Sequence, residues 1–321
     1  MEKKLLDVKG LTVSFNSYLG VAEVLDGISY SLEANSWLGM AGESGCGKTV
    51  SAFSLLRLLP DAAVIKSGEI LFKGEDVLKK SKRELRDLRG SEISVVFQEP
   101  QSALNPSKRV GLNIVESIAL HQGIRGNEAR KIAIEMLDRV KIPQARMRFS
   151  QYPYELSGGM QQRVCIAIAL ACHPSLLIAD EFTTGLDVTT QQEILKLVVE
   201  LQRQLSMSIL FITHDLALIS ECCDDVVIMY AGQIVEKGKV DHVFQDPSHP
   251  YTRLLLNAIP TIARNDETLK SIDGVVPSLI KPPKGCRFHT RCKHMIPGKC
   301  DVVFPGGTVR DDAHQVWCHL Y

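Results

Sequence analysis

The run Gly42-Glu43-Ser44-Gly45-Cys46-Gly47-Lys48-Thr49 has the spacing G-x-x-x-x-G-K-[ST] of a phosphate-binding loop. Its chemistry is that of a cradle for a polyanion. Glycines let the backbone curl until successive N–H groups point inward, and a following helix adds the partial positive charge of its first turn. Lys48 then reaches the β and γ phosphates of ATP, and Thr49 offers Mg²⁺ a hard oxygen ligand. A glycine-rich turn without a ligand is the competing explanation. The flanking residues weigh against it: 36–40 has the pattern of a buried strand, and Thr49 onward that of a helix with Ala52, Phe53, Leu55, Leu56 and Leu59 on its apolar side.

Two adjacent acids close a second apolar strand, Leu176-Leu177-Ile178-Ala179-Asp180-Glu181. Neighbouring carboxylates repel unless a cation or a proton transfer justifies them. Asp180 is therefore expected to serve Mg²⁺, and Glu181 to act as the general base that polarises the attacking water. Without a phosphate loop upstream, the pair would be only a solvated strand end. A second anion-seeking turn, Ser157-Gly158-Gly159, precedes a helical pattern at 164–171. One nucleotide needs one cradle. A second turn about 110 residues further on is expected to serve a nucleotide held by another subunit.

The elements that must position these groups follow from periodicity. Strands are predicted at 93–97, 176–179, 209–213 and 226–230, separated by helices such as 161–171 and 191–205, an alternation that indicates an α/β fold with a mostly parallel sheet. Residues 100–154 lack strand signals and form a helical insertion broken by Pro106, Gly111, Gly123, Gly126 and Pro143. The basic run 79–89 is the solvated face of a helix. After His249-Pro250-Tyr251 the chain becomes loop-rich, punctuated by Pro260, Pro277, Pro282, Pro283 and Pro297.

Bulk properties narrow the function. In 321 residues, 45% are apolar, and 37 basic side chains balance 37 acidic ones, so no broad basic face for nucleic acid is expected. No window approaches the roughly 20 apolar residues that span a bilayer, and charge interrupts the start before any signal-peptide core. The chain is expected to stay on the cytoplasmic side. Five of its nine cysteines are scattered, but Cys286, Cys292, Cys300 and Cys318 fall within the last 36 residues as C-x5-C-x7-C-x17-C. That spacing lacks the paired C-x2-C knuckles of structural zinc, whereas four thiolates suit an iron–sulfur cube. Zinc and unligated core cysteines are the alternatives. His289, His294, His314 and His319 are expected at the surface or in support of the thiolates, where one could replace a cysteine.

The segment Leu156-Ser157-Gly158-Gly159-Met160-Gln161-Gln162-Arg163 resembles the signature motif of the ATP-binding cassette (ABC) family, and the resemblance runs from Leu5 to the C-terminus. It implies a RecA-like P-loop ATPase core at 1–99 and 161–250 with an antiparallel β subdomain. A helical subdomain at 100–160 carries the signature, and a loop-rich metal-binding extension follows at 251–321. It also implies roles for single residues: Gln98 contacts Mg²⁺ and the attacking water, His214 senses the γ-phosphate, and Asp187 faces the other cassette. Phe15, or else Tyr18, stacks on adenine. Phe182 and Gly185 stand where the family has proline and often alanine, which implies a looser loop after Glu181 with no catalytic atom lost.

Within the family, four phrases resemble the ATPases of bacterial dipeptide, oligopeptide and nickel importers: Gly42-Glu43-Ser44-Gly45, Gln98-Glu99-Pro100 with Leu104-Asn105-Pro106, Tyr152-Pro153, and His249-Pro250-Tyr251-Thr252-Arg253. The resemblance implies a [4Fe-4S] cluster on the cysteines of the extension, with Zn²⁺ the alternative. Implied partners are a second cassette, identical or paralogous, two membrane-spanning permease subunits and, indirectly, an extracytoplasmic substrate-binding protein. The chain would lie peripherally on the cytoplasmic face of the cell membrane. Import of nickel or a short oligosaccharide is the alternative cargo. A soluble cassette ATPase of translation or DNA repair is the alternative of another class, and the paired cassettes or coiled-coil insertion usual there are absent. An interaction module with an idle nucleotide site is disfavoured by the full catalytic set.

Overall fold

Glycine and a tight turn fold the start of the chain into a long hairpin, β1 (Lys4–Ser17) with β2 (Gly20–Glu33). In the computed structural model, which describes residues 4–258, 272–311 and 314–321, there follow β3 (Trp37–Ala41), α1 (Lys48–Ser54), β4 (Ala63–Phe72), β5 (Glu75–Asp76), α2 (Lys82–Leu88), β6 (Ile93–Val96), α3 (Pro100–Ala103), α4 (Val110–Gln122), α5 (Gly126–Arg139), α6 (Ala145–Arg148), α7 (Gly158–Leu170), β7 (Leu176–Asp180), α8 (Val188–Leu205), β8 (Ser208–Ile212), α9 (Leu216–Cys222), β9 (Asp225–Tyr230), β10 (Gln233–Lys239), α10 (Val240–Gln245), α11 (Pro250–Asn257), β11 (Thr308–Asp311) and β12 (His314–Val316). Residues 259–271 of the expected extension lie outside the described residues. The chain divides into two compact units, Met1–Lys79 with Phe211–Tyr321, and Lys80–Leu210.

In the first unit an antiparallel sheet runs β2-β1-β4-β5. A second set of strands is mixed. β3 pairs with β9 in parallel, β9 with β10 antiparallel, and the C-terminal hairpin β11–β12 adds to β10. The expected strands β3 and β9 pair in parallel, and the antiparallel part comes from strands not foreseen: β10 returns directly after a two-residue turn at Ala231-Gly232, and so short a connection can join only antiparallel neighbours. β3 is buried along its whole length and β9 nearly so, which is why both read as unbroken apolar runs. The extension contributes core of its own. Phe288, 1% exposed, packs edge-on against Tyr230 with ring centres 5.1 Å apart, and Tyr230 meets Tyr251 at 4.7 Å.

The second unit is helical around a parallel pair, β6 and β7, in register from Ile93↔Leu176 to Val96↔Ala179. Ile114 and Ile118 of α4, Ala133 and Leu137 of α5, and Val164 and Ile166 of α7 are fully buried, as the helical pattern between 100 and 154 requires. Among the described residues no helix is long and apolar enough to cross a membrane.

Candidate active site

In the first unit the phosphate loop joins the end of β3 to α1. Its glycines have steric causes in this chain. Gly42 has φ 153° and Gly47 φ 103°. A Cβ on Gly42 would lie 2.2 Å from the Met229 carbonyl oxygen, and one on Gly47 2.7 Å from Leu25 Cδ2. Lys48, buried at the start of α1, turns its ammonium into the curl, where Nζ donates to the carbonyls of Gly42 (2.7 Å) and Glu43 (3.2 Å). The cation thus waits inside the cradle. Cys46 lies 3.8 Å from it, and burial pushes the thiol up against the pull of Lys48, so that it stays neutral. Ser44, Gly45 and Thr49 are exposed at the mouth.

His214 follows β8 in the same unit. The Thr213 N–H donates to the Met40 carbonyl at 3.3 Å, which sets the exposed His214 beside the end of β3. Phe15 is half-buried in β1, paired with Ala22 and Ala63, whereas Tyr18 is 96% exposed at the hairpin tip.

Glu43 is held from two places far along the chain. Its backbone N–H donates to Tyr251 Oη at 2.9 Å, and its carboxylate accepts a fork from Arg291, Nη1 to Oε2 at 2.7 Å and Nη2 to Oε1 at 3.2 Å. Neither role carried a direct signal in the sequence. Tyr251 stands in the His249–Arg253 phrase, and Arg291 is flanked only by the cysteines.

In the second unit β7 delivers Asp180, 5% exposed, and then Glu181 at φ 44°, a left-handed conformation unusual for a residue with a side chain. Strain of this kind, of order 1–3 kcal/mol, concentrates at functional positions. Gln98 Nε2 donates to Glu181 Oε2 at 3.3 Å, so the expected water-orienting amide and the expected base meet. Phe182 is buried and Thr184 N–H returns to the Glu181 carbonyl at 3.0 Å. Phe182, standing where the family has proline, is thus packed into the interior.

Ser157 caps α7, its Oγ accepting from Met160 N–H at 3.4 Å, and Ser157 and Gly158 are exposed. Asp187 caps α8 by accepting from Thr190 N–H at 2.9 Å, and the bond to Thr190 holds its carboxyl below the usual range. The two caps are neighbours: a Cβ on Gly159 would come within 2.8 Å of Thr190 Cγ2.

The four clustered cysteines belong to the first unit. Cys286, Cys300 and Cys318 are buried and Cys292 half-buried. Burial, aided by the neighbouring Cys318, Cys300 and Cys292, pushes the Cys286 thiol up to about 12. Among the described residues no group of three or more His, Cys, Asp or Glu is arranged to hold a metal ion. His314 corrects an expectation. It is buried, and its Nε2 donates to Glu236 at 2.7 Å.

Residues 25–184 match the family model for ABC transporters, and 235–300 match that for the C-terminal region of oligopeptide/dipeptide transporters. The chain is 44% identical over 319 residues to the dipeptide transport ATP-binding protein DppD of Bacillus subtilis (strain 168), covering 99% of this chain and 95% of that one. It is 46% identical over 293 residues to the oligopeptide transport ATP-binding protein OppD of the same organism, covering 91% and 82%. Against DppD of Escherichia coli (strain K12) the identity is 42% over 315 residues, covering 98% and 96%. Among solved structures, cbiO1 of Clostridium perfringens, part of the ABC transporter complex cbiONQ, superimposes with a TM-score of 0.66 at 30% identity over 76% of this chain and 92% of that one. The dimeric cassette MJ0796 bound to ADP and Pi gives 0.65 at 24% identity over 73% and 98%, a likeness of fold alone.

Proposed function

Since the chain belongs to the ATP-binding cassette family of oligopeptide and dipeptide transporters, we propose that it binds and hydrolyses ATP to energise the import of short peptides. The observation that carries this is the pair of anion-seeking turns on one polypeptide, the first buried around Lys48 and the second exposed at Ser157-Gly158. Two cassettes would clamp two ATP molecules, each held by the phosphate loop of one chain and the Ser157-Gly158-Gly159 turn of the other. Glu181 takes the proton of the attacking water while Gln98 orients it. Lys48 and His214 stabilise charge on the transferring phosphoryl group. Thr49, Gln98 and Asp180 would offer oxygen ligands to Mg²⁺, which would neutralise phosphate charge. The opening and closing of the pair passes through the Gln98 region to two permease subunits, which holds this chain at the inner membrane face. An extracytoplasmic binding protein selects the cargo.

The four tail cysteines are proposed to hold a [4Fe-4S] cluster that crosslinks the extension. Their burial close together in sequence and the electrostatic influence of Cys318, Cys300 and Cys292 on Cys286 are what support this. Zn²⁺ on the same thiolates is the alternative. Purification from membranes tests both proposals together. The expected result is two membrane-spanning companions, peptide-stimulated ATPase activity and a brown preparation containing iron and sulfide. A chain that comes alone overturns the importer, and a colourless one carrying zinc overturns the cluster.

A further inference from the structure

A phosphate loop is an unfavourable place for a carboxylate, yet Glu43 is its second residue. An uncompensated charge there would oppose the polyanion that the loop's N–H groups invite. The structure supplies the compensation from the C-terminal extension. Arg291, its side chain 4% exposed, meets Glu43 with both terminal nitrogens at 2.7 and 3.2 Å, the bidentate geometry that only a guanidinium offers a carboxylate. Its remaining donors are also engaged, Nη1 to Tyr230 Oη at 3.2 Å, Nη2 to the Ile272 carbonyl at 3.0 Å and Nε to the Asp273 carbonyl at 2.9 Å. The guanidinium is therefore fixed before it meets the loop.

Two further contacts make the docking firm. Tyr251, which takes the Glu43 backbone N–H, is packed against Tyr230 and Phe288, so one aromatic cluster backs both partners of Glu43. Arg287, four residues before Arg291, is 2% exposed and donates to the Ala231 carbonyl at 2.6 Å and to Asp26 at 3.1 Å. The stretch between Cys286 and Cys292 is thus tied within the first unit by two arginines, one of them on the phosphate loop.

Taking the loop as the cradle for ATP, we propose that Arg291 is a positioning residue of the nucleotide site. By pairing with Glu43 it cancels a repulsion inside the cradle and fixes the loop's first turn, so that ATP affinity depends on the docked extension. Arg291 touches no phosphate itself. Its loss acts through the charge it leaves on Glu43, and the penalty rises with the charge of the ligand. Mere structural support would weaken every nucleotide alike.

The test is equilibrium binding of ATP, ADP and AMP to the full chain in EDTA, where no hydrolysis occurs. Arg291→Gln is expected to weaken ATP roughly tenfold, ADP less and AMP least. Arg291→Lys, with the charge but without the fork, recovers part of the loss. In a double-mutant cycle, adding Glu43→Gln to Arg291→Gln restores most of the ATP affinity. Unchanged ATP binding in Arg291→Gln overturns the proposal, as does an equal loss for all three nucleotides that Glu43→Gln leaves uncorrected. Should Arg291→Gln unfold, the double variant is compared with Glu43→Gln alone: similar affinities support the proposal and a tenfold gap overturns it. A Lys48→Ala arm separates the premise. ATP binding at wild-type strength there overturns the premise that the loop is the cradle, whereas weakened binding there with unchanged binding in Arg291→Gln overturns the Arg291 proposal alone.

Discussion

The phosphate loop and the signature turn are both glycine-bearing turns that lead into helices, and they are built in opposite ways. The first is enclosed: Lys48 is buried among loop carbonyls, and Glu43 is pinned through its backbone by Tyr251 and through its side chain by Arg291. The second is open, with Ser157 and Gly158 exposed and Ser157 Oγ bonded to its own helix. A cradle ordered in advance loses little entropy when a ligand arrives. A turn on the surface can complete its contacts only when another molecule covers it. Under the proposed function, the difference would give primary binding to the turn that encloses Lys48 and the trigger for hydrolysis to the open one.

The most severe way to probe that division is to remove the base and leave both turns intact. Glu181→Gln should lose about 10² to 10⁴ in turnover while still binding ATP. Single-turnover hydrolysis with parallel binding measurements reads both quantities, and wild-type turnover would remove Glu181 from its role. Ser157→Arg blocks the open turn alone. In the assembled transporter it should lower hydrolysis by about 10²-fold, with the ATP affinity of the separated chain changed by less than about twofold. Equal losses in both would erase the distinction between the turns.

The smallest effect concerns what holds the enclosed turn. His249 is buried, and its Nδ1 accepts the Tyr251 N–H at 3.1 Å, so the ring must be neutral; burial, aided by Arg253, holds it down to about 3. The unfolded chain takes up that proton near pH 6.5. The stability His249 contributes is therefore fully present above about pH 6.5 and falls as the pH drops towards 3, by about 1.4 kcal/mol per pH unit. Melting curves between pH 7.5 and 5 should show a shallower loss in His249→Asn than in the wild type. Parallel slopes would mean that this ring does not govern the acid response.

Much of the local structure around the candidate site was legible because it is set within a few residues. The phosphate loop, the Asp180-Glu181 strand end and the Ser157 cap each lie within a few residues, flanked by apolar runs buried on both faces. Signals failed where structure depends on distant parts. The β1–β2 hairpin went unread because register shifts between Val8 and Leu11 and again before Val13 break the alternation that marks a strand. The grip of Arg291 on Glu43 joins residues 248 positions apart, and a lone arginine has no period to announce it. His314, with polar residues nearby in sequence, gave no hint that it would be buried against Glu236.

That last pairing bears on how much of the tail can be spared. Glu236 is wholly enclosed in β10, where Ser248 and His249 offer it backbone N–H groups at 2.6 and 2.9 Å and His314 supplies a side-chain donor. A chain cut ahead of position 314 would strand a carboxylate in the interior, short of one donor and opened to water along the edge that β12 covers. His314 and β12 are thus built in as a keystone, and a truncation that removes them acts on the interior of the first unit itself.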